Sequence, residues 1–297
     1  MERIPLHLLV IDPQNDFCDL PAAWVPPAPP GLPPVAPALP VAGAHADMLR
    51  LAGFIDAAAP WIGAVTVTLD SHQRLDIAHP TFWQDADGAP VPPFTALSAA
   101  SLRAGGWRPR DPAARDRAIA YAEALEARGR YRLMVWPVHC EIGTWGHGVH
   151  PAVLAACHRW EDARAAAGGA VRLVPKGTNP WTEHYSALQA EVPDAAAPET
   201  LLDRGLVARL AEARTIAVAG EAASHCVRAT VEDLLANLPA GWDGEVVLLA
   251  DCTSPVAGFA AEGEAFAAAM RAGGASGPVR TRAATAAAFA AELRGRA

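Results

Sequence analysis

The sequence predicts an α/β fold with a mostly parallel sheet. Strand and helix signals alternate along the chain, the pattern that folds into parallel strands joined by right-handed helical crossovers. The strand signals are short apolar runs, of which Thr215–Ala219 (TIAVA) is the clearest. Of the 297 residues, 52% are hydrophobic, enough for a sizeable core.

Leu6–Ile11 is the first apolar run and reads as a strand. Ala44–Ala58 follows as a helix and Ala64–Leu69 as the second strand. Pro112–Arg128 reads as helical, and an apolar run, Tyr131–Val135, comes after it. Pro151–Ala166 is helical again, and Val171–Val174 is a strand. Leu201–Ala213 is a helix leading into the Thr215–Ala219 strand, which Gly220 ends. Val227, Val231, Leu234 and Leu235 then recur at helical spacing, with Ser224 placed to cap them. Glu245–Ala250 is a strand, Ala260–Arg271 a helix, and Val279–Arg282 a last strand before a closing helix. Two segments break the rhythm. Pro21–Pro40 is too rich in proline for a helix or central strand and reads as an extended surface excursion. Gln84–Arg110 is irregular and reads as a long loop or small cap near the active edge. The whole chain, 1–297, reads as one domain with a Pro-rich insertion at about 21–40 and a loop or cap insertion at about 84–130.

A net charge of -8 offers no basic face for phosphates, which argues against nucleic acid as a partner. No apolar run is long enough to span a membrane. The N-terminal MERIPLHLLVID turns acidic too soon for a signal peptide. Five cysteines, an odd count without a CxxC pair, make neither a disulfide framework nor a zinc ribbon. The reducing cytoplasm is the expected location, with a small molecule as partner and room for a homo-oligomer.

Cys226 stands in the first turn of its predicted helix, where unpaired N–H groups and the helix dipole favour a thiolate. On its own it is better explained as a small buried side chain filling space. Other strand ends carry reactive groups too: Asp12 after LLVI, Asp70 and His72 in LDSH, and Lys176 in VPKG. In a parallel α/β sheet these ends share one edge. There Asp12 would accept the thiol proton and later donate it to a leaving amine, while Lys176 supplies positive charge. The turn Glu221–His225 can aim backbone N–H groups at an oxyanion. Asp70 and His72 also form a metal pair that wants a third ligand. His139, stiffened by Pro137, is the leading candidate, and His79 is another. Carboxylate and imidazole ligands suit Zn, Mn or Fe. His147, His150, His184 and His225 read as surface or structural.

These residues resemble the nicotinamidases of the isochorismatase-like cysteine hydrolase superfamily. The resemblance rests on LLVIDPQNDFC, TLDSH, WPVHCEIGTWG, KG and GEAASHCV, which run in the family's order over most of the chain. It implies a doubly wound six-stranded parallel sheet with helices on both faces. It implies a catalytic triad of Asp12, Lys176 and Cys226, with Asp70, His72 and His139 holding one divalent metal ion, zinc before manganese or iron. His79 lies near a further family histidine. Phe17 and Trp136 would sandwich a pyridine ring, with Glu221 and Ala222 beside the substrate. Glu221–Ala222 falls at a family cis peptide, which would turn the Ala222 N–H toward the oxyanion next to that of Cys226. The implied reaction converts nicotinamide to nicotinic acid and ammonia through a thioester, as part of NAD salvage. Departures from the pattern, the two insertions above all, keep open a related amidohydrolase of another small carboxamide or ureido compound; a silent binding protein on this fold is a further alternative, against which the intact set of reactive residues argues.

Overall fold

The computed structural model describes residues 3–273 and 279–295. β1 (Ile4–Ile11) opens the chain, followed by α1 (Ala44–Ala58) and β2 (Ile62–Asp70). Then come β3 (Trp83–Asp85), β4 (Thr95–Leu97), α2 (Ala99–Ala104), β5 (Trp107–Pro109), α3 (Arg115–Arg128) and β6 (Leu133–Val135). The second half runs α4 (Pro151–Arg164), β7 (Arg172–Lys176), α5 (Arg204–Ala211), β8 (Ala213–Gly220) and α6 (Cys226–Asn237). It ends with β9 (Glu245–Leu249), α7 (Ala260–Arg271), β10 (Arg280–Ala284) and α8 (Ala286–Gly295).

Six strands form one sheet in the order β10-β9-β8-β1-β2-β7, and every pairing in it is parallel. β1 and β8 are apolar without alternation because both faces are covered. α1 packs against α4 and α8, while α5 and α6 contact β8 and α7 contacts β9 and β10. The strand order reverses between β1 and β8. This is the switch point at which doubly wound sheets open a crevice beyond their carboxyl ends. Gly220 makes the seam tight: a Cβ there would lie 1.9 Å from the Ile11 carbonyl oxygen, and its φ is +116°.

The segment read as an irregular loop is more ordered than expected. β3 pairs with β5 and β4 with β6, both antiparallel and outside the main sheet. The Tyr131–Val135 run therefore serves this small unit, which has its own core around Trp83, Leu97, Leu102, Leu125 and Val135. Three-residue strands leave no periodicity to read. Pro21–Pro40 is extended and mostly exposed apart from a turn of 3-10 helix at Ala22–Trp24. Ser224 does not cap α6. His225 takes the N-cap position, and the Ser224 hydroxyl instead meets His225 Nδ1 at 2.9 Å and accepts from the Val256 N–H. All five cysteines are free and buried. No helix among the described residues is long and apolar enough to cross a membrane.

Candidate active site

Asp12 follows β1, Lys176 ends β7, and Cys226 opens α6 just beyond β8. Lys176 Nζ lies 2.9 Å from Asp12 Oδ2, 2.9 Å from Asp70 Oδ1 and 3.6 Å from Cys226 Sγ, and it donates to the His184 carbonyl at 2.8 Å. All three side chains are nearly or wholly buried. Asp12 has φ +42°, a left-handed bend that aspartate tolerates better than most residues. The Thr68 hydroxyl donates to its Oδ1 and accepts from its N–H. Gln14 grips the end of β2, accepting from the Asp70 N–H at 2.7 Å and donating to the Asp70 carbonyl at 2.8 Å. Asp16 accepts from the Cys140 N–H at 2.7 Å. The polar residues of the DPQND stretch thus tie three strand-end loops together.

Charge in this site is decided by burial against Lys176. Burial pushes the Asp12 carboxyl above its ordinary range, while Lys176 pulls it down. Burial also lifts the Cys226 thiol well above its usual value, opposed by Lys176. The sequence predicts a thiol lowered by the helix N-terminus; desolvation outweighs that effect here, so the thiol needs a base beside it. Burial opposes charge on Lys176 too, but Asp12, Asp70 and Cys226 outweigh it and keep the ammonium protonated.

Three buried histidines, His72, His79 and His139, bring ligand atoms within 4.8 Å of one another and could hold a metal ion. Asp70 Oδ2 sits 3.1 Å from His72 Nε2 and 3.3 Å from His139 Nε2. Ligand atoms about 2 Å from one tetrahedral ion stand about 3.3 Å apart, so this donor set fits a cation of that size. The outer nitrogens are anchored: His72 Nδ1 meets Asp76 at 3.1 Å, and His139 Nδ1 donates to the Pro137 carbonyl at 2.8 Å. Such partners turn Nε2 toward a metal. Asp76, fully buried, received no role from the sequence, although its place four residues after His72 was a usable signal. His79 stands beside His139, with Nε2 at 3.2 Å from its Nδ1. Burial pushes its pKa down to about 2, which keeps the ring neutral as a ligand must be.

No family model matches the sequence, and no curated protein matches it significantly. Solved structures do match. A nicotinamidase/pyrazinamidase from Acinetobacter baumanii aligns with TM-score 0.58 and 17% identity, covering 97% of this chain and 100% of that one. The yeast nicotinamidase Pnc1p aligns with TM-score 0.56 and 18% identity over 90% and 96%. A Pyrococcus horikoshii pyrazinamidase in complex with zinc aligns with TM-score 0.50 and 19% identity over 94% and 98%. This is the nicotinamidase fold. At these identities the likeness is one of fold.

On this nicotinamidase fold the crevice at the switch point narrows to an inner chamber of about 30 Å³. Phe17, Asp70, His72, Trp136, His139, Ala222 and Cys226 line it, as do Glu183, His184, Tyr185 and His225. His184 and His225, read from sequence as surface or structural, both reach this chamber. His150 is structural, accepting from the Ala152 N–H at the start of α4, and His147 meets Ser71 Oγ at 2.9 Å. Glu183 was not anticipated: it lies in a loop between β7 and α5 without periodicity. It accepts from Trp136 Nε1 at 3.2 Å, which fixes the indole plane.

The Glu221–Ala222 peptide is cis. Ala222 lines the chamber, but the Glu221 side chain, expected at the substrate, does not. It turns away from the chamber; its Oε2 accepts from the Ser254 N–H at 3.1 Å and the carboxyl lies beside that of Asp47. Burial first, then the Asp47 carboxylate, raises its pKa well above the model-compound value of 4.5. The folded state therefore holds a proton that the unfolded chain releases above pH 4.5, and stability falls as pH rises through that window. Glu221→Gln, a mimic of the protonated form, should match wild type in acid. Near neutral pH it should be more stable, because wild type must take up a proton to fold and the amide need not, a penalty of up to about 1.4 kcal/mol per pH unit above 4.5. Thermal melts across pH measure this; a variant less stable than wild type at every pH contradicts it.

Proposed function

We propose that the chain is a metal-dependent cysteine amidohydrolase that converts nicotinamide to nicotinic acid and ammonia. The observation that carries this reading is the single ammonium of Lys176 within contact of both Asp12 and Cys226, at the end of a crevice walled by Phe17 and Trp136. Two flat apolar faces suit an aromatic ring. A buried thiol next to a carboxyl of raised pKa suits nucleophilic attack with proton transfer.

In this reading Cys226 Sγ attacks the carboxamide carbon as Asp12 takes the thiol proton. The N–H groups of Ala222 and Cys226 receive the developing oxyanion; that of Cys226 is free for this because the first turn of a helix has no internal acceptor. Asp12 passes the proton to the nitrogen, and ammonia leaves. Water then attacks the thioester, gives a proton to Asp12, and the thiol is restored as the carboxylic acid departs. Lys176 holds Asp12 in place and offsets negative charge on sulfur. Asp70, His72 and His139, with His79 alongside, would hold a divalent cation, zinc by preference, which would supply an anchor for the pyridine nitrogen and for ordered water. Such a reaction would belong to NAD salvage in the cytoplasm; the reaction itself is tested by incubating the metal-loaded protein with nicotinamide. Nicotinic acid and ammonia should form in equal amounts, and a chelator should stop them. Metal-loaded protein that forms no nicotinic acid would falsify the reading.

A further inference from the structure

Phe94 stands out in the small unit β3–β6. Its φ is +64°, a left-handed bend that a bulky residue rarely adopts, and it is 54% exposed. The bend has a use in the fold: the Phe94 N–H donates to the Val135 carbonyl at 2.6 Å, where β4 begins to pair with β6. Glycine or asparagine would make that bend with less strain. Burial does not call for a phenyl ring at this exposed position either. A strained residue whose side chain neither the turn nor the core requires points to a function of that side chain.

The ring meets Trp136 edge to face, with centroids 5.9 Å apart and planes at 87°. Trp136 follows β6 directly and is a wall of the chamber. One edge of its indole is pinned, because Nε1 donates to Glu183 at 3.2 Å and to Tyr185 Oη at 3.1 Å. The rings of His225 and Phe259 stand 5.3 and 6.2 Å from it. Of these five neighbours only Phe94 comes from Gln84–Arg110, the segment that breaks the rhythm of the sequence. Pro92 and Pro93 precede it and stiffen its approach. The small unit thus reaches the chamber wall through an exposed phenyl ring held on a rigid, bent backbone.

We infer that Phe94 is a positioning residue, which buttresses Trp136 as the wall against which the substrate's ring rests. This rests on the amidohydrolase reading above and gives the inserted segment a part in substrate binding. Phe94 is not among the residues that line the chamber, so it acts through Trp136 and touches no reacting atom. A loosened wall weakens the hold on substrate and transition state alike. The effect of losing the ring therefore falls on KM and leaves kcat in place.

Phe94→Gly keeps the bend and removes the ring. In the metal-loaded protein the KM for nicotinamide should rise about fivefold at unchanged kcat, the effect of losing one edge-to-face pair. The melting temperature should stay close to that of wild type, because glycine accepts the left-handed bend. Phe94→Tyr keeps the ring and should restore the wild-type KM. A second readout needs no turnover: adding Phe94→Gly to Cys226→Ala should weaken nicotinamide binding by the same factor. An unchanged KM in Phe94→Gly, a loss confined to kcat, or an equal rise in KM for Phe94→Tyr overturns the inference. Wild type that releases no ammonia, while the Cys226→Ala protein binds nicotinamide and loses affinity with Phe94→Gly, overturns the reaction and upholds the role of Phe94.

Discussion

Cys226→Ala should abolish ammonia release, with a loss of about 10⁴-fold or more in kcat, because the nucleophile has no substitute in the chamber. The protein should still fold. The thiol contributes little packing, and the first turn of α6 is held by other contacts, among them the Val227 N–H to the Ala222 carbonyl at 3.2 Å and the Ala229 N–H to the His225 carbonyl at 2.7 Å. A near-normal melting temperature with no product identifies a chemical loss and not a structural one. Substantial turnover by the variant would remove the thioester route, since no other cysteine lines the chamber among the described residues.

Lys176→Met carries the largest expected cost in stability. Among the described residues the ammonium is the one cation in contact with both Asp12 and Asp70, and each carboxyl is buried. Removing it leaves like charges facing each other in a dry site, which typically costs about 3–5 kcal/mol. The pH dependence has a definite sign. Without Lys176 the folded Asp12 carboxyl, already raised by burial, is raised further. The folded variant then binds a proton that the unfolded chain releases above the ordinary carboxylate range. Its deficit against wild type should shrink as pH falls toward about 4 and grow toward neutrality. Denaturant titrations at several pH values measure this. A deficit that is independent of pH would show that lost packing, and not stranded charge, is the cause. Activity should disappear in either case, because Asp12 loses the partner that positions it.

Much of the fold was legible because a buried parallel sheet leaves an unbroken mark. β1 and β8 are apolar on both faces, and α1 and α7 were bounded to the residue by their own periodicity. The meeting of Asp12, Lys176 and Cys226 was readable for the same reason: each stands where an apolar run stops, and parallel strands stop on one side. What escaped is what has no period. β3 to β6 are too short to alternate, and Glu183, His184 and Tyr185 reach the chamber from a loop whose path only the folded chain defines. The direction of Glu221 was also beyond the sequence. A glutamate beside a reactive turn invites a role at the substrate, yet the backbone turns its side chain to Ser254 and Asp47. Desolvation of Cys226 escaped for a different reason, since helix position is local and burial is not.

The contact between Gly220 and Ile11 binds architecture to chemistry more closely than either alone suggests. One methyl group at that point would wedge the two halves of the molecule apart and, by the same movement, draw sulfur away from its proton acceptor. The spacing of the two central strands and the spacing of the reacting atoms are thus one dimension, fixed at Gly220.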